Sequence, residues 1–452
     1  PTSTAAPTST AAPTSTAAPT STAAPTSTAA PTSTAAPTST AAPSCESPAA
    51  CMRSWCSGTP ASRTESMTGA DYDAIFARLR GMWQQLDQRC DAADCQQADF
   101  AGCVLRIAGH DFMDFQPGSG GGSDGCLDFT DGDNAGLAPC MFQGEFGISV
   151  GEAWSDFCSQ VSLADFFVIA AEAVMTFTRD NALDDGLHSG TVPFKENFRY
   201  GRTTVESCSF SHGRLPNPEN GCAANDQVFR QHMGLTWGET AALMAVHSLG
   251  RAKIENSGYD GFWSDAENAR KFNSNYFTSI LAKGWGPEKA VAGNAAKNQW
   301  KRVDMEPNGG RGKEMMLDTD LCLAYSGDAC RGGACTRRPL KAADLDCCAW
   351  AVSGKSRRAR AQFNLKMCGQ DDEGGNFRRQ TQLCCCSGCT TLTRNNDCGA
   401  PQLDTANVPN AHGPAASDIV LFARDEGAWI AEFVAAWTKA TGNGFADLKQ
   451  LG

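Results

Sequence analysis

The chain has 452 residues with a formal net charge of −12, and 41% of its residues are hydrophobic. This length is enough for two or three ordinary domains, or for one large domain with additions. The acidic balance argues against a nucleic-acid-binding protein, which needs a basic face to contact phosphates, and no stretch approaches the roughly 20 apolar residues that cross a bilayer.

Residues 1–42 are seven identical copies of the hexapeptide Pro-Thr-Ser-Thr-Ala-Ala. A proline in every sixth position excludes a regular helix and favours an extended, polyproline-II-like path. We therefore predict a stalk over residues 1–44, with O-linked glycans on its threonines and serines or on hydroxylated prolines. Two interpretations remain open: a flexible mucin-like spacer, and a segment through which copies of the chain self-assemble.

The 22 cysteines indicate the compartment. In a reducing cytosol they would be reactive thiols, so we expect many disulfides and an extracellular, secreted protein. The chain begins at Pro1 rather than at a methionine, which is typical of a secreted protein whose signal peptide has been removed. A zinc site is the alternative, because Cys386 and Cys389 are spaced like half of a zinc knuckle. However, only six histidines are present, and no second pair of suitably spaced ligands accompanies these two cysteines.

After a cysteine-containing linker over residues 45–65, several segments show the apolar spacing of helices. These predicted helices cover residues 71–88, 161–177, 236–250 and 428–441. Strand-like alternation is scarce, and half of the cysteines lie in residues 322–413. The sequence therefore predicts a mainly α-helical domain over 66–321, a disulfide-rich insertion over 322–413, and C-terminal helices over 414–452 that complete the domain.

Two histidines lie in segments that suggest chemistry. Arg106 and His110 are four residues apart, so they share one face of a predicted helix. A neutral imidazole beside a permanent cation can accept a proton from a peroxide, although a structural salt-bridge face is the plainer interpretation of this pair alone. His247 is the only histidine on an otherwise apolar helix, where it is either a satisfied core residue or an axial ligand to iron.

These two segments, in this order and at this separation, resemble the distal and proximal haem helices of the plant, fungal and bacterial haem-peroxidase superfamily. The proximal side is most similar to cytochrome c and ascorbate peroxidases. The resemblance implies a haem-peroxidase-like helical fold from about residue 66 to 320, resuming near 417. The further segments that match in the family order are 134–137, 161–166, 213–216, 256–263 and 315–320.

On the proximal side, the resemblance implies that His247 ligates the iron of haem b. Asp320 would accept the other ring proton of His247, and Trp263 would stack nearby as a candidate radical site. Asp418, in a segment that faintly resembles the one around Asp320, is the alternative partner for His247. We prefer Asp320, because the apolar run Met-Met-Leu precedes its segment as it does in the family.

On the distal side, His110 would be the base, Arg106 its electrostatic partner, and Asn134 the residue that orients His110. Arg251 and Lys253 stand where the family often places groups near the haem propionates.

Three residues of the glycine-rich segment after His110 resemble the distal calcium loop of secreted peroxidases. Asp111, Gly122 and Asp124 would supply carboxylate and carbonyl oxygens, which calcium prefers. Cys126 stands where the family has a serine ligand, so the site would be weakened, and a turn capped by aspartates is the alternative.

The residue before the distal histidine also departs from the family pattern. This position is normally aromatic, but here it is Gly109, which opens space above the iron and destabilises a helix by about 1 kcal/mol relative to alanine.

Two functions therefore stay open. One is a secreted peroxidase that oxidises a donor with peroxide, and the other is a structural subunit of an extracellular glycosylated filament that uses a peroxidase-like fold with little or no activity.

Overall fold

A computed structural model describes residues 47–91, 93–144, 146–208, 211–283, 285–302, 313–325, 329–331, 334–336, 339–344 and 413–452. The predicted stalk and most of the predicted cysteine-rich insertion lie outside these residues, so the predictions for them stay predictions.

The described chain is mainly helical, as the sequence predicts. The α-helices are α1 Pro48–Met52, α2 Gly69–Trp83, α3 Gln96–Met113, α4 Val150–Ser155, α5 Leu163–Leu183, α6 Phe194–Asn197, α7 Cys222–Asn225, α8 Trp237–Met244, α9 Ile254–Ser257, α10 Asn275–Ala282, α11 Asp318–Leu321, α12 Ala416–Arg424 and α13 Glu426–Gly442. The strands are β1 Arg199–Tyr200, β2 Trp285–Glu288, β3 Gln299–Arg302, β4 Met315–Met316, β5 Ala329–Arg331, β6 Ala334–Thr336 and β7 Lys449–Gln450.

Helix α5 lies at the centre of the core and packs against α2 and α3. It begins where the Ser162 hydroxyl accepts a hydrogen bond from the Asp165 backbone N–H, a cap that satisfies one free donor of the first turn. Asp165 is fully buried and forms an ion pair with Arg202 at 2.7 Å. The charge of this buried carboxylate is therefore neutralised by Arg202.

Helix α8, which precedes His247, is shorter than the sequence predicts. It begins with a capping box between Thr236 and Glu239, and it packs against α13, where the Trp429 indole N–H donates to the carbonyl of Ala242. The α-helical hydrogen bonds stop at Met244, and residues 245–248 form a tighter 3₁₀ turn. His247 thus lies on that turn rather than within a continuous helix over 236–250.

A β-bridge beside the three-stranded antiparallel sheet β2–β3–β4 brings two distant parts of the chain together. The backbone N–H of Phe262 donates to the carbonyl of Lys313, and the N–H of Met315 donates to the carbonyl of Phe262. This pairing places the loop that carries Trp263 beside β4, which leads directly into α11 and Asp320.

Disulfides join cysteines across the described domain, which confirms the disulfide prediction there. They are Cys56–Cys158, Cys90–Cys95, Cys103–Cys140, Cys126–Cys208 and Cys222–Cys322. Three of them close loops of 82 to 102 residues, and long loops are where a cross-link restricts the unfolded chain most.

The two ends of the predicted insertion over 322–413 lie side by side. The backbone N–H groups of Gly413 and Ala415 donate to the carbonyls of Ala324 and Leu323, each at 2.9 Å. Leu323 is fully buried in the core of the helical domain.

Among the described helices, none is both long and apolar enough to cross a membrane.

Replacing either of two glycines of α3 by alanine is expected to change the stability of the protein in opposite directions. A Cβ at Gly109 would meet only the Met113 methyl group, at 3.8 Å, whereas a Cβ at Gly102 would lie 3.1 Å from the backbone Cα of Gly250. We expect Gly109→Ala to raise the free energy of unfolding by about 1 kcal/mol, and Gly102→Ala to lower it by about 1–3 kcal/mol because backbone cannot move aside. Urea unfolding of both variants measures this, and equal effects would contradict it.

Candidate functional site

A cavity of about 290 Å³ lies between α3 and the turn that follows α8. His110 and Arg106 line it from α3, and His247 lines it from the turn. Trp263 also contributes to its wall. Most of the remaining wall is apolar, with Leu105, Phe112, Phe146, Phe229, Leu243 and Leu249 among its residues.

The hydrogen bonds of Asn134 determine which nitrogen of His110 carries the proton. The Asn134 side-chain N–H donates to the carbonyl of Asp128 at 2.8 Å, so its oxygen is left as an acceptor. That oxygen lies 2.9 Å from Nδ1 of His110, which must therefore be the protonated nitrogen. The other ring nitrogen, Nε2, is left as an unprotonated acceptor.

The surroundings of His110 keep its imidazole neutral. Burial is the largest effect and the Arg106 cation the second, and together they lower the pKa of His110 to about 3. His110 is therefore an uncharged base at neutral pH.

Arg106 is held by the loop that also carries Asn134. Its guanidinium donates to the carbonyls of Asp133 and Ala135, each at 3.0 Å. Burial lowers the pKa of Arg106 to about 10, which leaves it a cation at neutral pH. The sequence places Arg106 beside His110 correctly, but it does not predict these bonds to backbone carbonyls.

On the opposite side, the carboxylate of Asp320 collects donors from several elements. His247 lies 2.8 Å from it through Nδ1, and the Trp263 indole N–H donates to it at 2.8 Å. The Tyr276 hydroxyl and the Leu317 backbone N–H also donate, at 2.8 and 2.7 Å. Because an ionised carboxylate only accepts, Nδ1 of His247 is the protonated nitrogen and Nε2 is free to bind a metal.

Trp263 stacks on His247, with the ring centroids 4.4 Å apart and the planes inclined by 24°. The carboxylate that contacts His247 is that of Asp320 and not that of Asp418, which lies on α12. The geometry thus brings together the proximal residues that the sequence resemblance implies.

Arg251 and Lys253 line the same cavity but are paired with an acid that sequence reasoning missed. Asp99 accepts from Arg251 at 2.8 and 2.9 Å, and the Lys253 ammonium lies 3.0 Å from it. Asp99 stands in the first turn of α3, where no motif distinguishes it from a helix-capping acid. The role near the propionates stays a prediction.

Backbone N–H groups of the glycine-rich loop donate to its buried acids, but Oδ2 of Asp114 has no hydrogen-bond partner among the described residues. The Asp111 carboxylate accepts from the N–H groups of Gly125 and Cys126, and the Asp114 carboxylate accepts from that of Gly122. Burial raises the pKa of Asp114 to about 8 and that of Asp124 to about 7. Within the described ranges no cluster of three or more His, Cys, Asp or Glu residues could hold a metal ion, and calcium at Asp111, Gly122 and Asp124 stays a prediction.

Removing the charge of Asp320 is expected to be costly. In Asp320→Asn, the amide NH₂ would face donors that the carboxylate now accepts from, and unmatched buried donors cost about 1–3 kcal/mol each. We expect the free energy of unfolding to fall by roughly 2–4 kcal/mol in urea unfolding. The matched control, Asp418→Asn, is expected to change it by less than about 0.5 kcal/mol, and equal losses would count against this assignment.

Comparisons with known proteins agree with this geometry. A family model described as "Peroxidase" matches residues 84–331, more than half of the chain. The chain is 40% identical over 128 residues to a protein of Pyricularia oryzae named "Putative heme-binding peroxidase", covering 28% of this chain and 40% of that one. It is 32% identical over 127 residues to a mitochondrial cytochrome c peroxidase of Candida glabrata, covering 28% of this chain and 32% of that one.

A cytosolic L-ascorbate peroxidase 1 of Oryza sativa subsp. indica is 29% identical over 217 residues, which cover 47% of this chain and 77% of the relative. The chain thus spans less than half the length of the first two relatives and about three quarters of the third.

Proposed function

The chain belongs to the peroxidase family, and from this we propose that it binds haem b between His110 and His247 and uses peroxide to oxidise a donor. The observation that carries the proposal is the pair of contacts that Nδ1 of each histidine makes, at 2.9 Å with Asn134 and at 2.8 Å with Asp320. Asn134 and Asp320 each hold an Nδ1–H, which leaves an unprotonated Nε2 on either side of one cavity.

The residues present fit a haem group. His247 offers a neutral nitrogen whose basicity is raised by the carboxylate behind it, which suits an axial iron ligand. The largely apolar wall suits a flat macrocycle, and Arg251 and Lys253 are cations at the same cavity that would stand near its carboxylates. When bound, the haem would supply the iron that cleaves the peroxide O–O bond and stores oxidising equivalents.

The distal residues His110 and Arg106 would transfer the proton of the peroxide and stabilise the charge that develops on it. His110 is neutral and would accept a proton from the near oxygen of peroxide at Nε2, then return it to the departing oxygen as water forms. The Arg106 cation, in the turn of α3 before His110, would favour the negative charge that develops on that oxygen. Asn134 keeps Nδ1 of His110 protonated, so Nε2 is the nitrogen that accepts the proton.

Rapid mixing of the haem-loaded protein with hydrogen peroxide tests the proposal. We expect a spectral change that needs one equivalent of peroxide and that a colour-forming phenol donor reverses. A reaction no faster than that of free haem under the same conditions would refute peroxidase activity, even if the haem is bound.

The pH dependence of this reaction follows from the distal base. Because the pKa of His110 is about 3, the imidazole stays unprotonated as pH falls until that value is approached. We expect the second-order rate with peroxide to be constant from about pH 5 to pH 8 and to decline only near pH 3. Stopped-flow mixing with pH jumps measures this rate, and a midpoint near the ordinary histidine pKa of about 6.5 would contradict the lowered pKa of His110.

Location and assembly are proposals of their own. The disulfides among the described residues support a secreted protein in an oxidising compartment. Self-assembly through the stalk and O-glycosylation of residues 1–44 rest on sequence alone. Mass spectrometry of the protein from its native source would detect hexose-bearing peptides from the repeat, and unmodified repeat peptides would exclude the glycans.

A further inference from the structure

Tyr276 is a buried residue of the site that no motif predicts. It lies on α10 and is fully buried. Its hydroxyl donates to Oδ1 of Asp320 at 2.8 Å, and this is the same oxygen that accepts the Nδ1–H of His247 at 2.8 Å. Burial and the neighbouring carboxylate hold the pKa of Tyr276 well above 10, so the hydroxyl keeps its proton over the physiological range.

Both oxygens of the Asp320 carboxylate accept two hydrogen bonds each. Oδ1 accepts from His247 and Tyr276, and Oδ2 accepts from Trp263 and the backbone of Leu317. A carboxylate has about four lone-pair positions, so these donors share all of its accepting capacity. Each added donor draws negative charge towards itself, which weakens the hydrogen bond that Asp320 makes with His247.

We propose that Tyr276 is a positioning residue that limits how strongly Asp320 makes His247 electron-rich, and that it thereby raises the reduction potential of iron bound to His247. A carboxylate behind a ligating histidine raises the basicity of the ligand, and a competing donor on the same oxygen opposes that effect. The part concerning iron rests on the proposed haem binding, whereas the part concerning the hydrogen bond does not.

Tyr276→Phe removes one oxygen and keeps the ring. In the haem-free 452-residue chain, we expect the Nδ1–H proton resonance of His247 to move downfield, because its hydrogen bond to Asp320 strengthens. In the haem-loaded protein, we expect the Fe(III)/Fe(II) equilibrium to shift about tenfold towards Fe(III), a fall of about 59 mV for one electron. The resonance is assigned by its loss in His247→Ala.

The matched control is Tyr72→Phe. Tyr72 is also a buried tyrosine that donates to a buried carboxylate, Glu172, at 2.7 Å, but that carboxylate does not contact His247. We expect the control to lose stability and to leave both the resonance and the potential in place. If Tyr276→Phe behaves as the control does, Tyr276 is structural only and the inference is wrong.

A second variant covers the case in which Tyr276→Phe does not fold. Site-specific 3-fluorotyrosine at position 276 keeps the hydroxyl and makes it a stronger donor, so the resonance is expected to move upfield and the potential to rise. A shift in the opposite direction, or none, would overturn the inference. If no haem binds, the proposed function fails while the proton resonance still decides the role of Tyr276.

Discussion

A His247→Ala variant is expected to bind haem at least about 100-fold more weakly than the unaltered chain. Loss of a residue that merely supports a metal ligand typically costs 10–100-fold in affinity, so loss of the ligand itself is expected to cost more. The physical reason is that Nε2 of His247 is the neutral, carboxylate-supported nitrogen on its side of the cavity. Quenching of tryptophan fluorescence during haem addition measures the affinity.

Two controls separate ligation from disturbance of the fold. His232→Ala removes a half-buried histidine that does not line the cavity, and it is expected to leave the haem affinity unchanged. Added imidazole is expected to restore part of the haem binding of His247→Ala by occupying the space of the lost ring. Unweakened binding by His247→Ala, with no imidazole effect, would show that the haem is held elsewhere.

A His110→Leu variant is expected to slow the reaction with peroxide by about 10²–10⁴-fold, the usual contribution of a positioned general base. Leucine keeps the approximate volume of the side chain but cannot accept a proton. The haem affinity is expected to stay within a few-fold of the unaltered value, because the assigned ligand lies on the other side of the cavity. Stopped-flow rates at saturating haem measure the first effect, and fluorescence quenching measures the second.

The opposite outcome for His110→Leu would be equally informative. An unchanged peroxide rate together with weakened haem binding would mean that His110 is the iron ligand and that the two sides of the cavity have been assigned the wrong way round. Asn134→Leu provides a milder test of the same site, since it removes the acceptor that holds Nδ1 of His110 protonated. We expect its effect to lie between those of the unaltered chain and His110→Leu.

Much of the helical core could be predicted from the sequence because local signals and the tertiary structure agree. Ser162 and Thr236 cap the starts of α5 and α8, and both helices follow an apolar pattern. Segments around His110, His247 and Asp320 follow one another in the family order, so their meeting in space could be expected. The structure accordingly places Asp320 at hydrogen-bond distance from His247.

Other features depend on contacts that no local pattern records. The α-helix before His247 ends at Met244 because the last turn tightens where the chain must leave towards Gly250, which adopts a positive φ of 78°. Gly250 also approaches the backbone of Gly102 on α3, far away in sequence. A continuous run of apolar residues does not reveal such a stop.

The hydrogen-bond partners of the site residues could not be predicted from the sequence either. The sequence places Arg251 near the cavity but does not reveal that Asp99 pairs with it, since an acid in the first turn of a helix is common. Tyr276 is not part of any motif, yet it donates to the central carboxylate of the proximal side. Only the packing of α10 against the turn that carries His247 puts it there.

The central claim is that one haem binds in the cavity between His110 and His247, and titration of the purified protein with haem, followed by absorption spectroscopy, tests it most directly. We predict a Soret band that saturates at one haem per chain and that shifts on addition of one equivalent of peroxide. A band that grows in proportion to added haem without saturating, as for haem free in solution, would contradict the claim.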